Sequence, residues 1–496
     1  MPISRSDDFV DNPCAGIYSA NHMLNDRPRI SLAALKGGSG KTILSIGLAS
    51  SWLRKGLTVA PFKKGPDFID SGWLSFASRR TCYNLDPFLM TREQIVESFL
   101  VRSADADISL IEGNRGLFDG LDLEGCCSTA ELARMLESPV VIIVDVTMVT
   151  RTVAALILGC RQFDPDLKIA GIILNKVAGG RQESLVRACV EQYCGIPVVG
   201  AVPKLKGDVF PERHMGLIPQ QERQFAAKAV DWATTVVEKY LEQDTLLKLA
   251  RDANPLGASA QLGQTQKPLA QAPSSPRIGI IRDHSFWFYY PENLEQLNIL
   301  GATLVDLDSI RDREIPDLDA IYIGGGFPEI QAQALADNKS FKQALKQRIE
   351  AGLPVYAECG GLMYLGDALI VDGKTFPMVG ALPIRFVLEK RPQGHGYTVL
   401  ETLLENPYYE VGETLRGHEF HYSKAVLEDS EKQKAVFKVL RGSGLDGERD
   451  GLCRKNLLAL YTHVHAGGNR LWAQTLFRQA ALFKNNKISK EMKKKD

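Results

Sequence analysis

A glycine-rich turn between an apolar strand and an apolar helix is the feature that most constrains this chain. The segment from Ile30 to Ile46 reads ISLAALKGGSGKTILSI, and the turn leads directly into Lys41 and Thr42. Glycines leave backbone N–H groups free to approach an anion, and the following helix presents the positive end of its dipole. The lysine can reach the outer phosphates of a nucleotide, and the threonine hydroxyl can bind Mg²⁺. The pattern predicts a phosphate-binding loop for ATP and Mg²⁺.

The residues predicted to bind ATP follow this loop and include one amide from a later strand. They are Lys36, Gly37, Gly38, Ser39, Gly40, Lys41, Thr42 and Asn175. Asn175 ends the strand GIILNK and Asp145 ends the strand VVIIVD, so either side chain can touch the nucleotide base or ribose. Leu35 stands where the first glycine of such loops is usual. The resulting KGGSGKT form resembles the variant loop of the partitioning-ATPase and dethiobiotin-synthetase superfamily.

Length and charge bound the kind of protein. A chain of 496 residues is too long for one core, so two or three domains are expected. Lys+Arg and Asp+Glu both number 59, so no net charge recruits nucleic acid or an anionic membrane. No apolar run is long enough to span a bilayer. The nine cysteines show no repeated spacing, which indicates reduced thiols and a cytoplasmic protein.

Strand and helix patterns alternate twice along the chain, on either side of a segment rich in Ala, Gln, Pro, Gly and Ser. The first alternation predicts a parallel sheet with helices on both faces and with ligands at the carboxyl ends of its strands. The second is also α/β, with more antiparallel strands after Gly373. The predicted divisions are a loose extension at 1–28, a phosphate-loop domain at 29–250, a mobile linker at 251–276, a second domain at 277–484 and a frayed basic tail at 485–496.

Acidic side chains follow two further strands of the first predicted sheet. PFKKGPDFIDSGW comes after the second strand, and SLIEGNRGLFDG ends the next one. In phosphate-loop enzymes a carboxylate at the end of a neighbouring strand binds Mg²⁺. The predicted metal residues are Thr42, Glu112 and Asp67, and the residues predicted to position a substrate carboxylate are Asp70, Asp119 and Lys64. The ordinary alternative is that aspartates in such loops cap helices and turns.

A cysteine at a sharp turn carries the predicted chemistry of the second domain. In PVYAECGGLMYL a strand reaches Cys359, two glycines follow and an apolar helix begins. A cysteine there is expected to face solvent, with its pKa lowered by the helix N-terminus. The backbone N–H groups predicted to form an oxyanion hole belong to Gly325, Gly326 and Gly360. The later segment YTHVH supplies His463 as the preferred general base, with His465 as the alternative.

The ordered set of motifs resembles the cobyrinic acid a,c-diamide synthase family, in which a phosphate-loop synthetase is fused to a class I glutamine amidotransferase domain. The matching motifs are KGGSGKT, FKKGPDFID, EGNRGLFDG, ERHMGLIP, FWFYYPENLE, GGGFPE, AECGGLMYLG and RGHEFHYS. The resemblance implies that Cys359 attacks L-glutamine with help from His463. It also implies that ATP activates acetate carboxylates of a tetrapyrrole as acyl phosphates, which the released ammonia converts to amides.

One departure from the family pattern leaves a question open. Ordinary class I amidotransferases carry His-x-Glu, whereas His465 stands here in place of the glutamate, so the third member of the triad is undefined. The two histidines of RGHEFHYS could indicate a metal site, but a loop at the domain interface or facing the substrate is the preferred interpretation.

Several functional alternatives also remain open. Sirohydrochlorin or sirohaem can replace cobyrinic acid as the substrate of the same chemistry. A regulatory ATPase of the partitioning type, or a ligase that has lost its glutaminase activity, are further alternatives. Homodimerisation is left open.

Overall fold

Two α/β domains make up the computed structural model, which describes residues 27–205, 212–213, 216–217, 223–256 and 275–492. Nearly all of the predicted N-terminal extension, half of the ERHMGLIP motif and most of the predicted linker therefore lie outside the described residues.

The first domain is built on a parallel sheet. Its strands are β1 (Arg29–Ala34), β2 (Val59–Lys64), β3 (Tyr83–Leu85), β4 (Ile108–Glu112), β5 (Val140–Asp145), β6 (Ile169–Val177) and β7 (Val198–Pro203), followed by the short pair β8 (Glu212–Arg213) and β9 (Gly216–Leu217). Its helices are α1 (Lys41–Arg54), α2 (Phe68–Ser78), α3 (Arg92–Arg102), α4 (Thr129–Met135), α5 (Thr152–Phe163), α6 (Gly180–Cys194), α7 (Arg223–Tyr240) and α8 (Gln243–Arg251).

The order of the strands explains where the ligands of this sheet must bind. The sheet runs β3-β2-β4-β1-β5-β6-β7, with every neighbouring pair parallel, and buried apolar clusters cover both faces. Strand β1 is central, between β4 and β5, so the glycine-rich loop that follows it emerges beside the ends of both neighbours. This is the carboxyl edge at which open α/β sheets bind ligands.

The second domain combines a mainly parallel sheet with antiparallel additions. Its strands are β10 (Arg277–Ile281), β11 (Phe286–Phe288), β12 (Thr303–Leu307), β13 (Ala320–Ile323), β14 (Gly325–Gly326), β15 (Val355–Glu358), β16 (Ala368–Val371), β17 (Lys374–Pro377), β18 (Arg385–Leu388), β19 (Gly394–Thr402), β20 (Thr414–His421), β21 (Ser423–Val426), β22 (Phe437–Arg441), β23 (Arg449–Asp450), β24 (Leu452–Arg454), β25 (Leu457–Leu460) and β26 (His463–Val464). Its helices are α9 (Pro291–Ile299), α10 (Ala332–Asp337), α11 (Lys339–Glu350), α12 (Gly360–Leu365), α13 (Asp429–Lys432) and α14 (Arg470–Met492).

The central sheet of this domain runs β12-β10-β13-β15-β25-β24, and its pairs are parallel except for β24 with β25. Strand β15 lies between β13 and β25, so its carboxyl end meets the loops that follow both of them. The antiparallel pairs after Gly373 are also present, as in β18 with β21 and β19 with β20. The predicted α/β fold class is thus confirmed for both domains.

Two local predictions differ from the structure. The segment after β2, interpreted as an acidic loop, turns into helix α2 directly after Asp67, so Asp70 lies in a first helical turn. Its buried apolar side chains join the core of the first domain, and its Phe68 packs against Phe288 of the second domain, a contact that sequence periodicity does not show. Residues 485–492 of the predicted frayed tail continue helix α14.

Candidate active site

The glycine-rich loop has the backbone geometry of an anion cradle. Gly38 and Gly40 adopt positive φ angles of 70° and 91°, a region that side-chain-bearing residues rarely occupy. Helix α1 begins at Lys41, so its free N–H groups point toward the loop. The Lys41 ammonium donates to the Arg115 carbonyl at 2.7 Å, and burial together with Lys63 lowers the pKa of Lys41. A nucleotide phosphate is a stronger acceptor than this carbonyl.

Asn175, on strand β6, holds the glycine-rich loop in place through a hydrogen bond. Its Nδ2 donates to the Ser39 carbonyl at 2.8 Å, and its Oδ1 accepts from the Lys176 N–H at 2.9 Å. A Cβ on Gly40 would lie 2.6 Å from the same Nδ2, so this packing requires glycine. Both ends of the amide are engaged, and contact with the nucleotide base remains a prediction. Lys36 is largely exposed, with its Nζ 3.7 Å from Asp145.

A buried cluster of charges lies directly beside Thr42. The Thr42 hydroxyl is 2.7 Å from Glu112 Oε1 and 3.3 Å from Asp70 Oδ2, and Lys63 Nζ lies 2.9 Å and 2.6 Å from the same two carboxylates. Burial alone lowers the pKa of Lys63, but the two carboxylates outweigh burial and hold it well above its usual value. Glu112 Oε2 is buried and has no hydrogen-bond partner among the described residues. An unsatisfied carboxylate oxygen beside a hydroxyl is a donor set that fits Mg²⁺.

The two aspartates of the GPDFID segment have different surroundings. Asp67 caps α2, because its Oδ1 accepts the Asp70 N–H at 3.0 Å. Burial and the neighbouring Asp70 raise the pKa of Asp67 to about 7. Burial also disfavours the ionised form of Asp70, but Lys63 overcomes this effect and lowers its pKa. The carboxylate that faces Thr42 and Glu112 is therefore that of Asp70, which favours Asp70 over the predicted Asp67 for the cation.

The two other residues predicted to position a substrate carboxylate also have distinct surroundings. Asp119 Oδ2 accepts the Gly116 N–H at 2.8 Å, so it shapes the loop that carries Arg115. Lys64 is only 5% exposed, and within the described ranges it makes no hydrogen bond or ion pair. Burial lowers the pKa of Lys64. A buried lysine without a partner is suited to receive an anionic group.

Cys359 lies at a strained turn between β15 and α12. Its φ of 46° and ψ of −100° are unusual for a residue with a side chain, and such strain is typical of functional sites. The thiol donates to the Phe420 carbonyl at 3.9 Å. Contrary to the sequence prediction, Cys359 is only 5% exposed, and burial, followed by the Glu329 carboxylate, raises the pKa of its thiol. The six-residue helix α12 does not offset that burial, so the thiol needs a base.

The glycines predicted to form the oxyanion hole surround this turn. Gly325 and Gly326 form β14, which pairs with β11. A Cβ on Gly360 would lie 3.1 Å from the Gly326 nitrogen, so these two backbones approach as closely as glycine allows. The structure therefore brings all three glycines to the nucleophile, and their action on an oxyanion stays a prediction.

The two histidines of YTHVH have separate partners. His463 is buried, with its Nδ1 3.3 Å from Glu358 Oε2, and its ring packs against Gly325. His465 Nε2 lies 3.4 Å from Glu292, while its Nδ1 accepts the Gly467 N–H. In the part of the chain that the structure describes, no hydrogen bond joins either histidine to Cys359. The position of His463 beside the predicted oxyanion glycines favours it as the base.

Aromatic and histidine side chains connect the two sites across the domain interface. The ring of His463 stacks on that of His418, with centroids 5.0 Å apart. The Tyr290 hydroxyl is 3.1 Å from His418 Nδ1 and 3.5 Å from the carbonyl of Pro66, directly before Asp67. His418 belongs to the RGHEFHYS motif, which the structure places on strand β20 rather than on the predicted loop. This motif therefore lies between the cysteine site and the carboxylate cluster.

A cleft of about 580 Å³ opens between the domains next to these residues. Helix α2 lines one wall, and Trp287, Arg282 and Arg311 contribute to the other. Phe68 of α2 packs against Trp287, with ring centroids 5.9 Å apart. Asp283 and Asp308 line the cleft as well as the two arginines, so it combines flat apolar faces with charges of both signs. The apolar faces suit a large planar molecule.

Comparison with known proteins decides the family. Residues 30–218 match the CobQ/CobB/MinD/ParA nucleotide binding domain, and residues 277–471 match the CobB/CobQ-like glutamine amidotransferase domain. The cobyrinate a,c-diamide synthase of Magnetococcus marinus is 42% identical over 458 residues, covering 91% of this chain and 97% of the relative. The chain belongs to the cobyrinate a,c-diamide synthase family.

Other members agree with this assignment. The cobyrinate a,c-diamide synthase of Archaeoglobus fulgidus is 40% identical over 92% of this chain and 98% of the relative. That of Listeria innocua is 37% identical over 88% of this chain and 96% of the relative. As a member of the family, the protein is a glutamine-hydrolysing carbon–nitrogen ligase with an ATP-binding domain. In the described ranges, no helix has both the length and the apolar character needed to cross a bilayer.

Three residues of the candidate active site were not predicted from the sequence. Lys63 is not among the predicted site residues, although it bridges Asp70 and Glu112. Glu358 was not singled out, although an acidic residue inside the apolar strand VYAE is itself a signal. Tyr290 lies in the matching motif FWFYYPENLE, but its contact with His418 depends on tertiary packing.

Proposed function

We propose that this enzyme converts the a and c acetate side chains of cobyrinate to amides, using ATP and ammonia released from glutamine. The observation that carries the proposal is the connection of the two sites: the cysteine turn and the buried carboxylate cluster meet at one interface, through His463, His418, Tyr290 and Pro66. The names of the relatives, at 36–42% identity over most of the chain, support cobyrinate as the substrate.

The synthetase half would activate the substrate carboxylate. The loop N–H groups and Lys41 hold the phosphates, and Thr42, Glu112 and Asp70 would hold Mg²⁺, which neutralises phosphate charge when it is bound. A carboxylate oxygen of the substrate attacks the γ-phosphorus, the bond to ADP breaks, and an acyl phosphate forms. Lys64 and the arginines of the cleft stabilise the remaining carboxylates of the polyanion.

The amidotransferase half would supply the nitrogen. His463 takes the proton of the Cys359 thiol, and the sulfur adds to the side-chain amide carbon of glutamine. His463 returns the proton as ammonia leaves, and water then releases glutamate from the thioester. The ammonia attacks the acyl phosphate and expels phosphate. Because free ammonia is mostly ammonium at neutral pH, release close to the acyl phosphate provides the reactive base at high effective concentration.

An isotope experiment tests the acyl phosphate. Cobyrinate with heavy oxygen in its carboxyl groups is incubated with ATP, Mg²⁺ and glutamine, and the released phosphate is analysed by mass spectrometry. One heavy oxygen is expected in phosphate for each amide formed, because the activated carboxylate oxygen leaves with the phosphoryl group. Phosphate without the label would contradict the acyl phosphate.

The different surroundings of the two aspartates lead to a prediction about Mg²⁺. We expect Asp70→Asn to raise the Mg²⁺ concentration for half-maximal ATP turnover by about tenfold or more, because a charged group facing Thr42 and Glu112 is lost. The matched control is Asp67→Asn, which keeps the helix cap because asparagine caps as well as aspartate. It should leave the Mg²⁺ requirement nearly unchanged. The Mg²⁺ requirement is measured by titration of ADP release. A higher requirement in Asp67→Asn but not in Asp70→Asn would assign the Mg²⁺ ligand to Asp67.

A further inference from the structure

Class I amidotransferases carry a glutamate two residues after the catalytic histidine, and this chain has a histidine, His465, at that position. His465 stands two residues after His463, and its nearest carboxylate is Glu292, 3.4 Å from Nε2. Its Nδ1 accepts the backbone N–H of Gly467 at 3.1 Å. His465 is thus engaged by α9 and by its own turn, and no contact in the described residues joins it to His463.

Glu358 supplies a carboxylate at His463 from a different direction. Its Oε2 lies 3.3 Å from His463 Nδ1, and both side chains are at most 3% exposed. The Val464 N–H donates to Oε1 at 3.3 Å, and the Tyr322 hydroxyl donates to Oε2 at 3.2 Å. Donors from three segments therefore hold this carboxylate in one orientation, and its preferred proton donor on the imidazole is the Nδ1–H.

The same strand positions the nucleophile and this carboxylate. Glu358 is the last residue of β15, and Cys359 follows it at the strained turn. Successive residues of a strand face opposite sides, so Glu358 reaches His463 without competing with the thiol for space. The Cε1 edge of His463, between its two ring nitrogens, faces Gly325, because a Cβ there would lie 2.4 Å from Cε1 and 3.1 Å from Nε2. Gly325 adjoins Gly326, which contacts Gly360 beside the cysteine.

We propose that Glu358 is the positioning residue of the amidotransferase site and completes a Cys359–His463–Glu358 arrangement in place of His-x-Glu. By accepting the Nδ1–H it fixes the tautomer in which the Nε2 lone pair is free for the thiol proton. It also stabilises the imidazolium that exists after the proton moves from sulfur to Nε2 and before the proton passes to the leaving ammonia. This inference rests on the proposed glutaminase chemistry.

Glu358→Gln provides the test, because the side chain keeps its size while its amide can donate to Nδ1 and favour the wrong tautomer. We expect kcat for glutamine hydrolysis, measured as glutamate release, to fall by at least about tenfold while KM for glutamine stays close to wild type. Alkylation of Cys359 by iodoacetamide, followed on the cysteine peptide, should slow in parallel. Amidation driven by ammonium chloride should match wild type, which also shows that the variant folds.

The control is Glu292→Gln, which changes the other buried carboxylate–histidine pair in the same way. It should leave glutamine hydrolysis close to wild type. Loss of glutamine hydrolysis in Glu292→Gln but not in Glu358→Gln would overturn the proposal. The catalytic pair would then be His465 and Glu292. An equal loss of glutamine- and ammonium-driven amidation in Glu358→Gln would also overturn it, because the role would then be structural.

Failure of the proposed function gives a different result. If wild type hydrolyses glutamine but amidates no tetrapyrrole with either nitrogen source, the substrate assignment fails. The dependence of glutamate release on Glu358 is expected to persist in that case, because this reaction needs no tetrapyrrole.

Discussion

Cys359→Ala is expected to abolish glutamine-dependent amidation, lowering it by at least about a thousandfold, while ammonium still supports the reaction. In the proposed mechanism the Cys359 sulfur attacks the glutamine amide, and alanine has no nucleophile to replace it. The carboxylate cluster and the loop at Lys41 remain intact, so ATP activation of the tetrapyrrole continues. The rescued rate should rise with pH, because a larger fraction of ammonium is then the reactive base. ADP release and amide product are measured together with each nitrogen source.

Cys453→Ala is the matched control for this variant. Cys453 is a half-buried thiol of the same domain, on β24, and its sulfur donates to the Lys455 carbonyl in its own turn. Its removal should leave both nitrogen sources equally effective. If Cys359→Ala retained glutamine-dependent amidation, the nucleophile assignment would be wrong.

Lys41→Ala is expected to reduce amidation with both nitrogen sources, by about a hundredfold to a thousandfold. The ammonium lies at the start of α1 beside the loop glycines, and in the proposed mechanism it stabilises the charge that develops on the transferred phosphate. Because this step precedes the arrival of ammonia, added ammonium cannot restore the rate. Glutamine hydrolysis at Cys359, measured without a tetrapyrrole, should be much less affected.

The surface variant Lys55→Ala serves as the control for the loss of a lysine. Lys55 is an exposed residue that caps the other end of α1 and pairs with the exposed Asp244. Such a pair contributes little to stability, so amidation is expected to stay near wild type. Equal amidation activity of Lys41→Ala and Lys55→Ala would show that Lys41 does not act at the phosphate site.

The framework of both domains was predictable because buried parallel strands are continuous apolar runs with turn residues at their ends. Strand β5, Val140–Asp145, is the predicted strand VVIIVD. Helix α2 was missed because Asp, Gly and Ser interrupt its apolar pattern, and its Phe68 packs against Phe288 of the other domain. Local sequence does not contain such a contact.

The site residues show the same division between local and tertiary information. The glycine loop, Glu112 and Cys359 follow from strand ends, which sequence patterns locate well. The preference for Asp70 over Asp67 as a proposed Mg²⁺ ligand depends on which carboxylate the buried Lys63 contacts. The raised pKa of Cys359 depends on burial and on Glu329, a residue distant in sequence. The usual pattern places a carboxylate two residues after His463, whereas in the structure Glu358 at the end of β15 lies beside His463 Nδ1.

The most direct test of the proposed function compares cobyrinic acid, sirohydrochlorin and sirohaem as substrates, with ATP, Mg²⁺ and glutamine. ADP release and the mass of the tetrapyrrole product are followed for wild type and Cys359→Ala. We expect cobyrinic acid to drive ADP release and to become the a,c-diamide, with glutamine serving only the wild type. If only sirohydrochlorin or sirohaem were amidated, that tetrapyrrole and not cobyrinic acid would be the substrate. ATP turnover that needs no tetrapyrrole and is unchanged in Cys359→Ala would contradict the synthetase account and favour a regulatory ATPase.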